Sequence, residues 1–150
     1  MDPETLFSLA STLAMIGWVV LLLLPRGRPV LDAIPAIIVP MVLSAGYALL
    51  VLRHFAGAGG GYGSLADVRA LMAPDMMLLA GWVHYLAFDL LIGAALARAM
   101  DRDAISRIVQ APLLLLVFLF GPLGYLLIIA LRGGLAISDP ATRSPKGNRI

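Results

Sequence analysis

Four long apolar stretches, separated by short polar breaks, run along the chain, and each is long enough to cross a membrane as a helix. They cover residues 5–24, 30–52, 76–99 and 108–131. Pro25, Gly27 and Pro29 end the first stretch, as helix-breaking residues do. The pattern predicts an all-α fold, an integral membrane bundle of four transmembrane helices in one domain over residues 1–137.

Two further features modify this simple pattern. Pro35 and Pro40 lie inside the second stretch and predict a kink, because each removes a backbone N–H donor. Residues 53–75 form the only long connection, glycine-rich at first and then containing Ser64 and Asp67 at capping-box-like spacing. This spacing predicts a short interfacial helix between spans 2 and 3. The polar residues 138–150 are expected to form a disordered tail.

The composition supports a membrane location and excludes several functions. Of the 150 residues, 61% are hydrophobic and 13% are charged, and the mean hydropathy is +0.95, too apolar for a water-soluble domain. With no cysteine, the chain has no disulfide, thiolate nucleophile or cysteine-ligated metal. Two histidines leave little for a metal site, so no metal and no cofactor are expected. Nucleic-acid binding is not suggested, because the sequence has no basic stripe interleaved with aromatic residues.

The basic residues do not orient four alternating spans. The side shared by the N-terminus, the 53–75 connection and the C-terminus would hold Arg53, Arg69, Arg132, Arg143, Lys146 and Arg149. The other side would hold Arg26, Arg28, Arg98, Arg102 and Arg107. Because the positive-inside rule needs a clear excess on one side, this distribution leaves the direction of insertion open.

Asp89 is the most informative residue, since it lies near the middle of the third span. A carboxyl group at the bilayer centre costs about 2.5–3.5 kcal/mol on insertion scales, so it should face the bundle interior and have a partner. If no cation reaches it, burial keeps it protonated and able to donate a proton. Trp82, Tyr85, Asp89 and Gly93 share one helix face, whereas His84 lies about 140° from Asp89 on an ideal helix.

Further aromatic residues of other spans are expected to lie at a depth in the membrane similar to that of this helix face. At about 1.5 Å per residue, several aromatic side chains reach similar depths, measured from span ends on the same side of the membrane. Their positions predict one hydrogen-bonding layer next to Asp89, formed by Tyr47, Trp82, His84, Tyr85 and Tyr125.

Each of these features also has a purely structural interpretation. Tyrosine and tryptophan are common in interfacial belts, His84 can hydrogen-bond a carbonyl freed by a proline, and Asp89 can form an interhelical hydrogen bond. Small residues at four-residue spacing, such as Gly93 and Ala97, permit close packing either within one chain or in a homodimer.

The run Gly81-Trp82-Val83-His84-Tyr85-Leu86-Ala87-Phe88-Asp89-Leu90, followed by Arg107 and by Phe120-Gly121-Pro122-Leu123-Gly124, resembles the abscisic-acid-deficient-four family of membrane proteins. Its plant members are associated with the formation of neoxanthin from violaxanthin. Trp-x-His followed by Asp five residues after the His is the specific part of the resemblance. Gly121 stands where plant relatives carry a cysteine, so that position supplies no essential chemistry here.

The resemblance implies a neoxanthin-synthase-like carotenoid isomerase that opens an epoxide within one molecule. Such a reaction needs an acid for the epoxide oxygen and a base for a carbon-bound proton, and it needs no redox cofactor. The resemblance suggests Asp89 as the acid and His84 as the base. Trp82, Tyr85, Tyr47 and Tyr125 would bind the carotenoid or other isoprenoid lipid, and the rings of Trp82 and Tyr85 would favour a cationic intermediate.

Two other functions remain open at this stage. The alternative is a non-enzymatic subunit that holds a pigment or lipid beside a membrane complex, with Asp89 fixing only helix register. Transport is less favoured, because His84 and Asp89 are the only deeply placed ionisable residues and four helices form a channel only as an oligomer. The composition, rich in alanine, leucine, glycine and arginine, favours a bacterial protein and hence the inner membrane.

Overall fold

The computed structural model describes residues 2–138, which form helices and no strand. Contacts divide the chain into two compact units, Met1–Ala94 and Ala95–Ile150. The long helix α5 (Asp75–Arg102) contributes its first part to one unit and its last part to the other. The all-α prediction is confirmed for the described residues, whereas most of the tail predicted over 138–150 lies outside them.

The first span is helix α1 (Pro3–Leu23), whose start is specified locally. Pro3 occupies the first helical position, where its missing N–H costs nothing. The Asp2 carboxylate accepts hydrogen bonds from the Thr5 backbone N–H at 2.9 Å and the Thr5 hydroxyl at 2.7 Å. These bonds, chiefly the one from the hydroxyl, hold the pKa of Asp2 below its usual value. The carboxylate therefore caps the positive end of the helix dipole in its charged form.

The second span is helical throughout but changes its winding at the prolines. It consists of α2 (Pro29–Ala33), a π-helical segment (Ile34–Ile38), α3 (Val39–His54) and a 3₁₀ turn (Phe55–Gly57). Proline cannot donate the usual backbone hydrogen bond, and a wider π turn is one way in which a helix accommodates the missing bond. The irregularity predicted near Pro35 therefore takes the form of a π-helical segment.

The connection between the second and third spans contains the predicted short helix, α4 (Leu65–Leu71). The Ser64 hydroxyl accepts a hydrogen bond from the Asp67 backbone N–H at 3.1 Å, which confirms the capping interpretation. Gly60 packs against this helix so closely that a Cβ atom there would clash with the Asp67 carbonyl and the Leu71 amide. Leu71 is fully buried. The position of α4 at a membrane interface stays a prediction.

Helices α1 and α5 approach each other through two glycines. A Cβ atom on Gly17 would meet the side chain of Leu90, and one on Gly93 would meet the ring of Trp18. Trp18 and Leu90 are almost completely buried. The small-residue pattern around Gly93 therefore serves packing within this chain, as is common between membrane helices.

Three helical segments are long and apolar enough to cross a membrane: Pro3–Leu23, Pro29–Gly57 and Asp75–Arg102. Most residues of the first two segments are not buried. In the most apolar window of each segment, the buried share is 22% for Pro3–Leu23 and 28% for Pro29–Gly57. Large apolar side chains such as Leu49 and Leu52 thus face outward, which is typical of lipid-exposed surfaces and unusual for a soluble protein.

The fourth apolar stretch differs from its prediction. Instead of one span over 108–131, the second unit contains α6 (Arg107–Phe120) and α7 (Pro122–Ser138), which meet at Gly121. Pro122 occupies the first position of α7, where proline favours the start of a new helix. A Cβ atom on Gly124 would clash with the backbone of Val117, so the two helices touch directly after the turn. The stretch is therefore a helical hairpin.

A salt bridge at the open end confirms that α7 turns back along α6. The Arg132 guanidinium donates to the carboxylate of Asp103, which lies in the loop before α6. This hydrogen bond holds the pKa of Asp103 below its usual value. Beside it, buried Gln110 donates to the Asp101 carboxylate at 2.8 Å and to the Ile105 carbonyl at 2.7 Å. The start of α6 and Arg132 therefore lie at the same end of the hairpin.

The hairpin leads to a prediction about membrane topology. Because α7 turns back, the loop at 103–106 and the chain after Arg132 should lie on the same side of the membrane. That side would then hold the described basic residues of the second unit, namely Arg98, Arg102, Arg107 and Arg132. By the positive-inside rule it should be the cytoplasmic side.

The test exploits the absence of cysteine from the natural chain. A cysteine at Ala104 and, in a second variant, one added after Ile150 should both resist a membrane-impermeant maleimide in intact cells and react after lysis. Labelling of one position but not the other in intact cells would show that the last stretch crosses the membrane once.

Candidate ligand site beside Asp89

Asp89 lies at the centre of the 28-residue helix α5 and is buried, with 7% of its surface exposed. Its position confirms the expectation that a carboxyl group at this depth faces the protein interior. The neighbours of Asp89 on the same face, Tyr85 and Gly93, lie one turn away on each side. Gly93 contacts Trp18, so the face that carries Asp89 packs against α1.

Asp89 has one hydrogen-bond partner and one free oxygen. Its carboxyl group is hydrogen-bonded to the Tyr85 hydroxyl. The other oxygen, Oδ2, is buried and has no hydrogen-bond partner among the described residues. Leaving a buried polar atom unsatisfied costs about 1–3 kcal/mol. The site therefore retains an unused capacity for a hydrogen bond at the centre of an apolar helix.

Aromatic rings extend from Tyr85 toward the beginning of α5. The Trp82 ring stacks on that of Tyr85, with centroids 5.5 Å apart. Phe7 of α1 lies on Trp82 at 5.6 Å. The Trp82 indole Nε1–H donates to the Ser11 hydroxyl at 3.2 Å, which fixes the orientation of the ring. Helix α1 thus completes an aromatic wall that begins on α5.

These rings line a cleft of about 810 Å³, which we call the aromatic cleft. Its remaining lining residues are mostly apolar, apart from carboxylates at its mouth. The complete set is Asp2, Pro3, Glu4, Phe7, Met72, Asp75, Leu78, Leu79, Gly81, Trp82 and Tyr85. Tyr85 lies ten residues along α5 from Asp75, so the cleft reaches about 15 Å in from its mouth. The hydroxyl of Tyr85 links its inner end to Asp89.

His84 and Tyr47 belong to a different cluster. The Tyr47 ring lies 5.4 Å from the His84 imidazole, and Phe88 stacks on the imidazole at 4.6 Å. His84 is exposed and does not line the aromatic cleft. It lies on another face of α5 from Asp89, as the 140° angular separation predicts. The structure therefore brings Trp82 and Tyr85 to Asp89, but it places His84 and Tyr47 together elsewhere.

Tyr125, the last of the predicted aromatic residues, belongs to the second unit. It lies in the first turn of α7, where its amide donates to the Gly121 carbonyl at 3.0 Å, and it is half exposed. The depth assigned to it assumed a span running to residue 131. Because α7 starts at Pro122 and folds back along α6, Tyr125 is next to the turn of the hairpin. A role for Tyr125 in ligand binding stays a prediction.

Two parts of the site were not predicted from the sequence. Phe7 and Ser11 of α1 are ordinary residues of an apolar span, and only their four-residue spacing, which places them on one helix face, hints at a shared role. Their contacts with Trp82 join positions 71 or more residues apart in the chain. No local pattern carries that information.

Comparison with known proteins extends this picture. No curated protein and no solved structure matches the chain. A family model described as ABA DEFICIENT 4-like matches residues 5–127, which include most of α1, Asp89 and the turn at Gly121. Since the match covers most of the 150 residues and agrees with the resemblance noted in the third span, the chain belongs to the ABA DEFICIENT 4-like family.

Proposed function

We propose that this protein binds a carotenoid or another isoprenoid lipid in the aromatic cleft and acts on it as an isomerase. The observation that carries the proposal is the hydrogen-bonded pair of Tyr85 and buried Asp89 at the inner end of the cleft. Membership of the family supports a membrane protein related to neoxanthin synthases. The apolar helices support access of the ligand from the bilayer.

The cleft suits a long apolar ligand with a single polar end. Its volume falls within the usual range of about 300–1,000 Å³ for small-molecule sites. The Phe7 and Trp82 rings offer flat contact surfaces for a conjugated chain or a terminal ring. At the inner end, the Tyr85 hydroxyl is the polar group that an epoxide or hydroxyl oxygen of the ligand would meet. The site therefore combines apolar binding with one proton donor.

The Tyr85–Asp89 pair can supply the acid for epoxide opening. Tyr85 lines the cleft and would touch the substrate, whereas Asp89 lies behind it and would replace the proton that Tyr85 donates. Protonation of the epoxide oxygen breaks one C–O bond and leaves a cation on carbon. The faces of Trp82 and Tyr85 stabilise such a cation. Loss of a carbon-bound proton then forms the new double bond.

The base for that last step remains a proposal. His84 does not line the aromatic cleft, so its assignment as base has no support from the geometry. Isomerisation consumes no net proton, and the Tyr85–Asp89 pair is deprotonated after the first step. The same pair can therefore take up the proton released from carbon. In this form of the proposal, one pair of residues acts first as acid and then as base.

A non-enzymatic pigment or lipid carrier is the competing function. In that interpretation Asp89 would only fix helix register. However, Tyr85 and Asp89 lie on the same helix, so their hydrogen bond cannot align two helices with each other. The free Oδ2 oxygen also has no structural partner among residues 2–138. These observations favour a reaction, and product analysis separates the two functions.

Ligand binding in the aromatic cleft predicts a selective change in tryptophan fluorescence. The chain has two tryptophans: Trp82 lines the cleft and is 40% exposed, whereas Trp18 is almost completely buried. A bound polyene should therefore quench Trp82 more strongly. Titration of the purified protein with a carotenoid should give saturable quenching in W18F that is largely lost in W82F. Equal quenching of the two variants would place the ligand elsewhere.

The acid role predicts a loss of turnover without a loss of binding. Asn has the shape of Asp but cannot replace the donated proton, so D89N should lower the conversion of an epoxy-carotenoid such as violaxanthin at least ~100-fold. Y85F should lower it to a similar degree. In both variants, the bound carotenoid should still quench the fluorescence of Trp82, as measured by the same titration.

Asp67→Asn is the matched control, because it removes an exposed carboxylate of α4 that does not line the aromatic cleft, and it should leave conversion unchanged. Product analysis by chromatography measures each rate. If D89N converts the substrate as fast as the natural chain, Asp89 is not the acid. If the natural chain binds but converts nothing, the carrier function is correct.

A further inference from the structure

We propose that an acidic phospholipid of the surrounding membrane occupies a second cleft of the first unit, with one acyl chain inside and its phosphate at Arg53. This leucine cleft, of about 650 Å³, lies between α1, α3 and α5. Leu9 and Leu13, Gly46 and Leu50, and Leu79 and Val83 line it from the three helices in turn. The proposal concerns a different site from the aromatic cleft and does not rest on its function.

The shape of the leucine cleft suits an acyl chain. Its lining residues on α3 run from Val42 to His54, a distance of about 18 Å along the helix. This is more than half of the hydrocarbon thickness of a membrane, which is about 30 Å. Gly46 leaves room in the middle of the wall, since a Cβ atom there would have no neighbour within 4 Å. The cleft is thus a long apolar groove parallel to the helices.

Charge is confined to one end of this groove. Arg53 and His54, the last two residues of α3, are the only ionisable residues that line it. At the same end, an adjoining cavity of about 370 Å³ shares Arg53, His54 and Met76 with the groove. Arg53 lies near the end of the apolar segment Pro29–Gly57, where arginine side chains reach the phosphate level of the bilayer. A lipid would therefore meet apolar walls below and a cation at headgroup depth.

Arg53 has no anionic partner among the described residues, which favours an anionic ligand. Its side chain is exposed and has no salt-bridge or hydrogen-bond partner within residues 2–138. Asp75 lines the adjoining cavity but not the leucine cleft, and it forms no ion pair with Arg53. A guanidinium binds phosphate through two parallel hydrogen bonds, which explains a preference for a phosphate-bearing partner. The acidic lipids of a membrane supply both the phosphate and a net negative charge.

The two clefts differ in the charge at their mouths, which separates their ligands. Asp2, Glu4 and Asp75 line the aromatic cleft, and their carboxylates would repel a phosphate there. Leu79 is the only residue that lines both clefts. An acidic phospholipid should accordingly select the leucine cleft, and a neutral polyene should be free to enter the aromatic cleft.

The test measures lipid selectivity in nanodiscs of phosphatidylcholine that contain trace spin-labelled phosphatidylglycerol or phosphatidylcholine. The natural chain should immobilise phosphatidylglycerol about five-fold more strongly than phosphatidylcholine, the factor expected from one interfacial cation. R53Q should bring this ratio close to one. R53K, which keeps the charge, should retain most of the selectivity. Gly46→Leu, which fills the groove but keeps Arg53, should also bring the ratio close to one.

Arg69→Gln is the matched control, since it removes one arginine from the same unit but outside the cleft. It should leave the selectivity unchanged. Equal loss in R69Q and R53Q, or no selectivity in the natural chain, would overturn the proposal. The Trp82 titration of each variant reports separately on the aromatic cleft, so failure of one proposal is distinguishable from failure of the other.

Discussion

The hydrogen bond between Asp89 and Tyr85 joins the only buried carboxyl group of residues 2–138 to a ring at the inner end of the aromatic cleft. An acidic side chain in the middle of an apolar helix is costly, and one hydrogen bond satisfies only part of its capacity. Both groups are on one helix, one turn apart, so their contact depends on helical geometry alone. The packing between helices then determines the shape of the cleft that leads to Tyr85 and Asp89.

That packing depends on glycine. Gly17 and Gly93 let α1 approach α5 so closely that Leu90 and Trp18 fill the space where Cβ atoms would lie. The close approach brings Phe7 and Ser11 onto Trp82 and thereby builds the aromatic wall. In a membrane, where lipid tails are as apolar as leucine, such close contact replaces the hydrophobic effect as the main attraction between helices. The cleft therefore results from the fit between α1 and α5.

Around this contact the first unit has two apolar clefts whose mouths carry opposite charge. Carboxylates lie at the mouth of the aromatic cleft, and Arg53 with His54 at the end of the leucine cleft. This difference in charge is the basis for the proposal that the two clefts take ligands of different charge. The proposed acid chemistry belongs to the aromatic cleft, because Tyr85 lines it and is hydrogen-bonded to Asp89.

The sequence alone determined the helical class, the three long helices, the cap at Ser64 and the shared face of Trp82, Tyr85 and Asp89, because each follows from local periodicity or hydrogen bonding. Only the tertiary structure decided that the last apolar stretch folds back at Gly121. A span and a hairpin of this length have the same apolar pattern. The contacts that distinguish them, Gly124 with Val117 and Asp103 with Arg132, form only because the chain reverses at Gly121, since a continuous helix would hold both pairs apart. The contribution of α1 to the aromatic cleft could not be predicted from the sequence either, since it depends on which helices pack together.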